Sequence, residues 1–323
     1  MKTIIIKFGG SSLADPGKIQ RAAGMVAAAR RRGFFPVAVV SAPADATDDL
    51  LALAAQAGGR NLSPRETDAL LAPGEQISAA LLALALQAEG RKAVSLTGAQ
   101  AGIRTDGKFS AAAVTAVDAR RLRRELAAGR IPVVAGFQGA ARGGDVTTLG
   151  RGGSDFTAVA LARALGSALC EFRTDVKGIY TAHPAIVPEA RPIKALTYGE
   201  VLALAALGTE VRQLRAVAYA AKHAIPLHLR SSFHDEPGTL VNAAGGKPGI
   251  SCLSLQKARD AALVSAVGRR LSRAHAAAGL AAAGHGAALV RAAAGAFTLR
   301  VPAESGEAAL KALHAAFFAP AGR

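Results

Sequence analysis

The sequence has no tryptophan, three tyrosines and eleven phenylalanines, so aromatic residues make up 4% of its 323 positions. A core without large rings is built from Ala, Leu and Val, and a hydrophobic content of 51% supplies them. Cysteine is also scarce. Cys170 and Cys252 sit in the apolar strings SALCEF and GISCLSL, which fit buried thiols in a reducing compartment better than a disulfide framework or a metal site. No uninterrupted apolar run of 18 residues occurs, and no membrane span is expected. The opening MKTIIIKFGG mimics a signal peptide only until Lys7 and two glycines end the apolar run, so the chain reads as cytoplasmic. Acidic residues are outnumbered, 23 against 39 Lys and Arg, for a net charge of +16. Nucleic-acid binding is one reading of that charge. The arginines are scattered, however, and clusters such as RRR at 30–32 and RRLRR at 120–124 read as solvated helix faces. No nucleic-acid-binding motif accompanies them. The charge predicts attraction of phosphorylated small molecules instead.

Glycine is plentiful where chemistry concentrates. Residues 145–155 read DVTTLGRGGSD, a β-branched run entering a glycine turn, followed by the helical pattern FTAVALARAL. Ser154 or Asp155 is the expected N-cap. Gly150, Gly152 and Gly153 let a ligand approach the backbone, and the helix start offers unpaired N–H groups to an anion. Arg151 adds a fork suited to carboxylate or phosphate. The turn is neither a Walker loop nor a GxGxxG dinucleotide turn. Taken alone it reads equally as an ordinary strand-to-helix connection. A second such turn, Lys7 before Gly9–Gly10, opens the chain and places a cation where phosphate oxygens would meet backbone N–H groups.

Short apolar strands are expected at 3–7, 36–42, 92–98, 131–139, 167–176 and 226–232, and helices at 16–32, 48–58, 76–89, 114–129, 197–207 and 211–223. A small hairpin is expected at 103–110. This alternation predicts an α/β fold, a mostly parallel sheet sandwiched by helices. Ligands in such sheets bind beyond the carboxyl ends of the strands, where Lys7–Ser12, Ser41–Thr47, Thr97–Gln100, Phe137–Gly139, Gly150–Asp155 and Thr174–Asp175 lie. Residues 61–75 read as a polar loop, placing Glu75 between a Pro-Gly turn and a helix start. There it either binds an ammonium group or complements the helix dipole. Asp175 either holds a ribose or caps a turn. A Gly/Pro-rich linker at 241–250 separates 1–240 from a small α+β, ferredoxin-like unit that lacks an obvious final strand.

The ordered blocks KFGGSS (7–12), VVSAPADATDDLLALA (39–54), GEQ (74–76), TGAQAGIRTD (97–106), VVAGFQG (133–139), TTLGRGGSDFTAVALA (147–162) and TDVKGIYTAHPAIVPEAR (174–191) resemble aspartate kinases of the amino-acid kinase superfamily. The C-terminal unit resembles one ACT regulatory domain. The resemblance implies an amino-acid kinase catalytic domain at 1–240 and a linker with a single ACT-like domain at 241–323. It implies phosphoryl transfer from ATP, with Mg2+, to the β-carboxylate of L-aspartate, the first step towards lysine, threonine and methionine. A homo-oligomer through the C-terminal region is implied as well. By matching positions, Lys7, Phe8, Gly9 and Gly10 resemble the phosphate cradle, with Lys7 the transition-state cation and Asp155 the organiser of the catalytic cations. Ser41, Thr47, Glu75, Arg151, Gly152, Gly153 and Ser154 resemble aspartate ligands, Arg151 on a carboxylate and Glu75 on the ammonium. Thr174, Asp175, Tyr180, Thr181, Glu210 and Val211 resemble the nucleotide side.

Departures fall on that nucleotide side. Lys177, His183 and Ala185 replace family Asp, Asp and Arg, and Glu210 stands where the family carries a lysine. Opposite unit charges at ~4 Å interact by about 4 kcal/mol at an effective dielectric near 20, so reversing a cation beside triphosphate would slow the enzyme by orders of magnitude. Arg212, Lys177 or Arg215 would be the substitute cation. The alternative reading is a catalytically weak paralogue serving as an aspartate-binding or regulatory partner. With room for only one ACT-like unit, weak or no lysine or threonine feedback is expected.

Overall fold

The computed structural model describes residues 1–207, 214–293 and 295–318. In chain order the elements begin β1 (Thr3–Phe8), α1 (Pro16–Arg31), β2 (Phe35–Val40), α2 (Ala46–Gly58), α3 (Pro64–Ala88) and β3 (Ala93–Leu96). Next come β4 (Ile103–Thr105), β5 (Val114–Val117), α4 (Arg120–Ala127), β6 (Ile131–Ala135), β7 (Gln138–Ala140), β8 (Val146–Thr148), α5 (Gly153–Leu165) and β9 (Leu169–Thr174). Then follow β10 (Ala195–Thr197), α6 (Tyr198–Ala206), α7 (Leu214–Lys222), β11 (Leu227–Ser231), β12 (Thr239–Asn242) and β13 (Gly249–Lys257). The last are β14 (Ala262–Arg269), α8 (Arg273–Ala283), β15 (Ala288–Ala293), β16 (Ala296–Val301) and α9 (Gly306–Phe318). The chain forms two compact units: Met1–Lys177 with Tyr219–Glu236, and Gly178–Ala218 with Pro237–Arg323.

The first unit is α/β, as its alternating pattern predicts. Its parallel strands run in the order β11-β9-β1-β2-β6-β3. Alternate residues sort to the two faces. Ile4, Ile6 and Phe8 of β1, Val40 of β2 and Val133 of β6 meet Ile19, Ala22 and Val26 of α1 and Leu82 and Leu86 of α3 in one core. Helix α5 packs against β1 and β9, on the side where Lys7 points. A smaller sheet, in the order β5-β4-β7-β8, carries the GRGGSD turn at the end of β8. These strands are short because each contributes only a few β-branched residues between glycines, as in Val146-Thr147-Thr148.

Two expectations are corrected here. Residues 114–129 are not one helix: Val114–Val117 pairs antiparallel with β4, and only Arg120–Ala127 is helical. The β-branched Val114, Thr115 and Val117 explain the switch. Residues 61–75 are not a loop: α3 runs unbroken from Pro64 to Ala88. Its interior Pro73 is exposed, as is Ala69 four residues earlier, so water reaches the carbonyl that Pro73 cannot bond. By length and composition α3 would also cross a membrane, yet half of its most apolar window is buried inside the unit, and it carries the buried Asp68 and Glu75.

In the second unit β10 and β12 pair in parallel, and α6 opens on a capping box formed by Thr197 and Glu200. The antiparallel sheet β13-β14-β16-β15 packs with α8 and α9 around Val264, Ala266, Leu299, Val301, Leu310 and Leu313. The strand expected to be missing comes from upstream. β13, at the end of the segment read as a linker, pairs with β14 and takes the edge a final strand would fill. Both cysteines are free and buried. Burial, with Glu200 nearby, pushes the Cys252 thiol up to about 12.

Because Pro73 breaks a helical hydrogen bond on an exposed face, Pro73→Ala is expected to raise unfolding free energy by about 1–3 kcal/mol. Urea denaturation checks this; a loss would mean that the proline fixes a bend the packing requires.

Candidate active site

Two chain segments converge at the end of β1. Lys7, 6% exposed, points from β1 towards α5, and its Nζ lies 2.6 Å from Asp155 Oδ1. The contact is ionic, because the approach to Oδ1 is off the hydrogen-bond direction. Asp155 sits in the first turn of α5, where a negative charge is favoured by the helix dipole. The N-cap is neither Ser154 nor Asp155 but Gly152, whose φ of 72° is left-handed. Helix α5 therefore starts earlier than expected, and both side chains belong to its first turn. Space for that turn depends on Gly136: a Cβ there would lie 2.8 Å from Ser154 Cβ and 2.9 Å from the Val40 carbonyl. The following Phe137 has a φ of 66°, a strained state for a bulky residue, and its N–H donates to Thr157 Oγ1 of α5 at 3.2 Å.

The remaining predicted residues of the first unit lie in turns, helix starts and strand ends. Phe8 is buried, Gly9 donates its N–H to the Arg173 carbonyl at 3.0 Å, and Gly10 accepts from Ala44 N–H at 3.1 Å. Ser41 follows β2, and Thr47 lies in the first turn of α2. Arg151 is exposed and makes no ion pair among the described residues. Gly153 and Ser154 are buried in the turn. Thr174 ends β9, its hydroxyl accepting from Val176 N–H at 3.3 Å, and Asp175 beside it is exposed. Lys177 is 3.5 Å from Glu236. Tyr180 and Thr181 belong to the second unit. There Tyr180 bridges to Pro192, and buried Thr181 shares a 2.9 Å hydrogen bond with His314 Nε2. Glu210 and Val211, and with them Arg212, lie outside the described residues.

Glu75 is the electrostatic anomaly. It sits in the middle of α3, not at a helix start, so the dipole reading no longer applies. It is 4% exposed, and its Oε2 has no hydrogen-bond partner among the described residues. Burial pushes its carboxyl up to about 7; the Ala42 N–H and Lys7 oppose that rise without cancelling it. A buried carboxylate with an open lone pair near Lys7 suits a ligand that carries an ammonium group.

Two positioning residues were not singled out by the sequence, although Gln138 lies in the Phe137–Gly139 strand end named there. Asp68, fully buried in α3, accepts from Ser110 N–H at 2.9 Å, Thr148 N–H at 2.8 Å and Thr148 Oγ1 at 2.7 Å. It thereby anchors β8, which delivers the Arg151 turn. Gln138 donates to the Ala72 carbonyl at 2.8 Å and accepts from Gln76 at 3.1 Å, tying α3 to β7. Asp68 fell in the stretch read as loop, where a lone acidic residue carries no pattern. The FQG block contained Gln138 but gave no reason to single it out.

Residues 2–231 match the model of the amino acid kinase family. The chain belongs to the amino acid kinase family. It is 50% identical over 242 residues to an aspartokinase of Mycobacterium tuberculosis H37Rv, covering 75% of this chain and 57% of that one. It is 48% identical over 241 residues to the Geobacillus stearothermophilus aspartokinase, covering 75% and 59%. This family member thus spans somewhat over half the length of these curated relatives. Its fold is similar to Escherichia coli aspartokinase III solved with lysine and aspartate, with a TM-score of 0.86, 23% identity, and 98% and 100% of the two chains covered. It is also similar to aspartate kinase from Synechocystis, with a TM-score of 0.67, 31% identity, and 99% and 70% covered.

The raised pKa of Glu75 has a signed consequence. Its folded value, about 7, exceeds the ordinary 4.5, so the folded state holds the proton that the unfolded chain releases, and stability falls as pH rises through that window. Glu75→Gln is expected to match the parent near pH 4 and to exceed it by about 2–3 kcal/mol at pH 8. Denaturant titrations at both pH values check this, and equal stability at pH 8 would place a counter-ion beside the carboxylate.

Proposed function

We infer that the protein is an aspartate kinase, transferring the γ-phosphoryl group of ATP to the β-carboxylate of L-aspartate to give 4-phospho-L-aspartate and ADP. The observation that carries this reading is the Lys7–Asp155 pair at the start of α5, with Glu75 buried nearby and its Oε2 unbonded among the described residues. A carboxylate nucleophile is ionised at neutral pH and needs no general base. One carboxylate oxygen bonds to phosphorus as the bond from phosphorus to the ADP oxygen breaks, and no proton moves. The protein has to hold two anions together and stabilise the charge spread over the transferring group.

The residues divide these tasks. Lys7 and the backbone of Gly9 and Gly10 receive the phosphates, and Lys7 meets the charge that develops on transfer. Asp155 holds Lys7 in place. Glu75 takes the aspartate ammonium, which restores its ionised form, and Arg151 takes a carboxylate as a bidentate fork. Ser41, Thr47 and the turn Gly152–Ser154 complete the amino-acid side. Thr174 and Asp175 are assigned to the nucleoside. Mg2+ fits as a nucleotide-borne ion: no cluster of three metal-ligating side chains exists among the described residues, and Mg2+ is commonly held by one or two carboxylates plus phosphates. Residues 1–240 form the catalytic domain in this reading, and 241–323 a linker and ACT-like domain through which the chain associates with itself. The names of relatives at about half identity support the kinase over the catalytically weak paralogue.

An assay trapping acyl phosphate with hydroxylamine, with L-aspartate and MgATP, tests this. Product is expected from the parent. Lys7→Ala should lose about 100-fold or more in kcat, and Arg151→Ala should mainly raise the aspartate KM by about tenfold or more. No aspartate-dependent product from the parent, with ATP bound, would overturn the assignment.

A further inference from the structure

The face of the parallel sheet turned towards α1 changes character across its width. Over β1, β2 and β6 it presents Ile4, Ile6, Val40 and Val133 to the apolar core. On β9 and β11 it turns charged. Glu171 and Arg173 lie in register with His228 and Arg230, while the intervening Cys170, Phe172, Leu227 and Leu229 fill the opposite, buried side. Arg173 is the register partner of Phe8, whose side chain belongs to the α1 core, and this fixes the charged row on the α1 side. Lys7 and Asp155 lie on the other face.

The charges in this row do not balance. Glu171 is 3% exposed and accepts from Arg173 Nε at 2.6 Å; Arg173 Nη1 donates to the Ser231 carbonyl at 2.8 Å. Arg230 stands 3.8 Å from the second oxygen of Glu171 and 3.5 Å from Asp235, which is fully solvated. The buried Nε of Arg230 donates to nothing among the described residues. Arg21 and Arg32 reach in from α1, and together these side chains line a cavity of about 300 Å³. Four guanidinium groups therefore face one buried carboxylate and one in water. Burial pushes the Arg173 guanidinium below its ordinary value, and the nearby Arg230 and Arg32 add to that push. Like charges held together around an open space are relieved by a counter-anion, and guanidinium forks match phosphate oxygens pairwise. The volume is at the small end for ligand pockets.

We propose that this cavity is a binding site for a small polyvalent oxyanion of the phosphate-ester or diphosphate class, on the opposite face of the sheet from the Lys7–Asp155 pair. The site recognises charge and oxygen geometry through Arg173 and Arg230, which the sheet holds in place, with Arg21 and Arg32 closing over the ligand from α1. It is independent of the kinase assignment, because none of its residues contributes to the phosphate cradle or the aspartate side.

Pyrophosphate is the probe, and the arginine Nε–Hε signals of the full-length chain are the readout. Arg230→Lys and Arg32→Lys assign the resonances. Saturable shifts of Arg230 and Arg32 are expected. In parallel calorimetry, the double variant Arg21→Ala/Arg32→Ala, which alters only exposed side chains, should weaken this binding by about tenfold or more. The proposal is overturned if Arg151 is the only arginine that responds, if no signal moves at millimolar pyrophosphate, or if the double variant binds as tightly as the parent while melting normally.

Discussion

The Lys7–Asp155 contact is the constraint around which the first unit is arranged. It joins the end of the central strand β1 to the first turn of α5, so the chain's opening turn and its GRGGSD turn meet at one point. Both groups are about nine-tenths buried, and removing either alone would strand a charge. The pair persists because the surroundings are built for it. Gly136 makes room for α5 to approach, Gly152 turns the chain into the helix, and Asp68 holds β8 in place with three accepted hydrogen bonds.

Beside this ion pair, Glu75 keeps one oxygen without a hydrogen bond among the described residues. A protein gains nothing in stability from a buried carboxylate with an open lone pair. The physical sense of such a residue lies in what it meets when a ligand arrives. An ammonium group would remove the penalty that burial imposes on the ionised carboxylate. In the proposed function Arg151, exposed and without an ion pair among the described residues, would supply the opposite charge for the ligand's acidic end. In the proposed kinase, the two side chains together would select an amino acid with an acidic side chain over a simple dicarboxylate.

Much of this was legible beforehand, for identifiable reasons. Strands such as TIIIK and IPVVA are continuous apolar runs bounded by glycine or charge, and only a doubly covered parallel sheet accommodates them. Lys7, Arg151 and Asp155 stood out because glycines flank them. What stayed hidden depended on tertiary context. Pro73-Gly74 reads as a turn, yet α3 passes through it because the proline faces solvent. Residues 241–250 read as linker and no strand was expected directly after them, but β14 offers a free edge on which Gly249–Lys257 pairs as a strand. Glu171, Arg173 and Arg230 alternate with apolar residues and look like ordinary solvated strand positions. Only the register of β9 on β11 shows that they gather.

The central claim is that Glu75 and Arg151 read the two ends of an acidic amino acid. Calorimetric binding of L-aspartate and of succinate, the same skeleton without the ammonium group, tests it most directly. The account predicts that aspartate binds about 100-fold more tightly than succinate, and that Glu75→Gln removes most of this difference. Equal affinity of the parent for the two ligands, or a preference for aspartate that survives in Glu75→Gln, would contradict it.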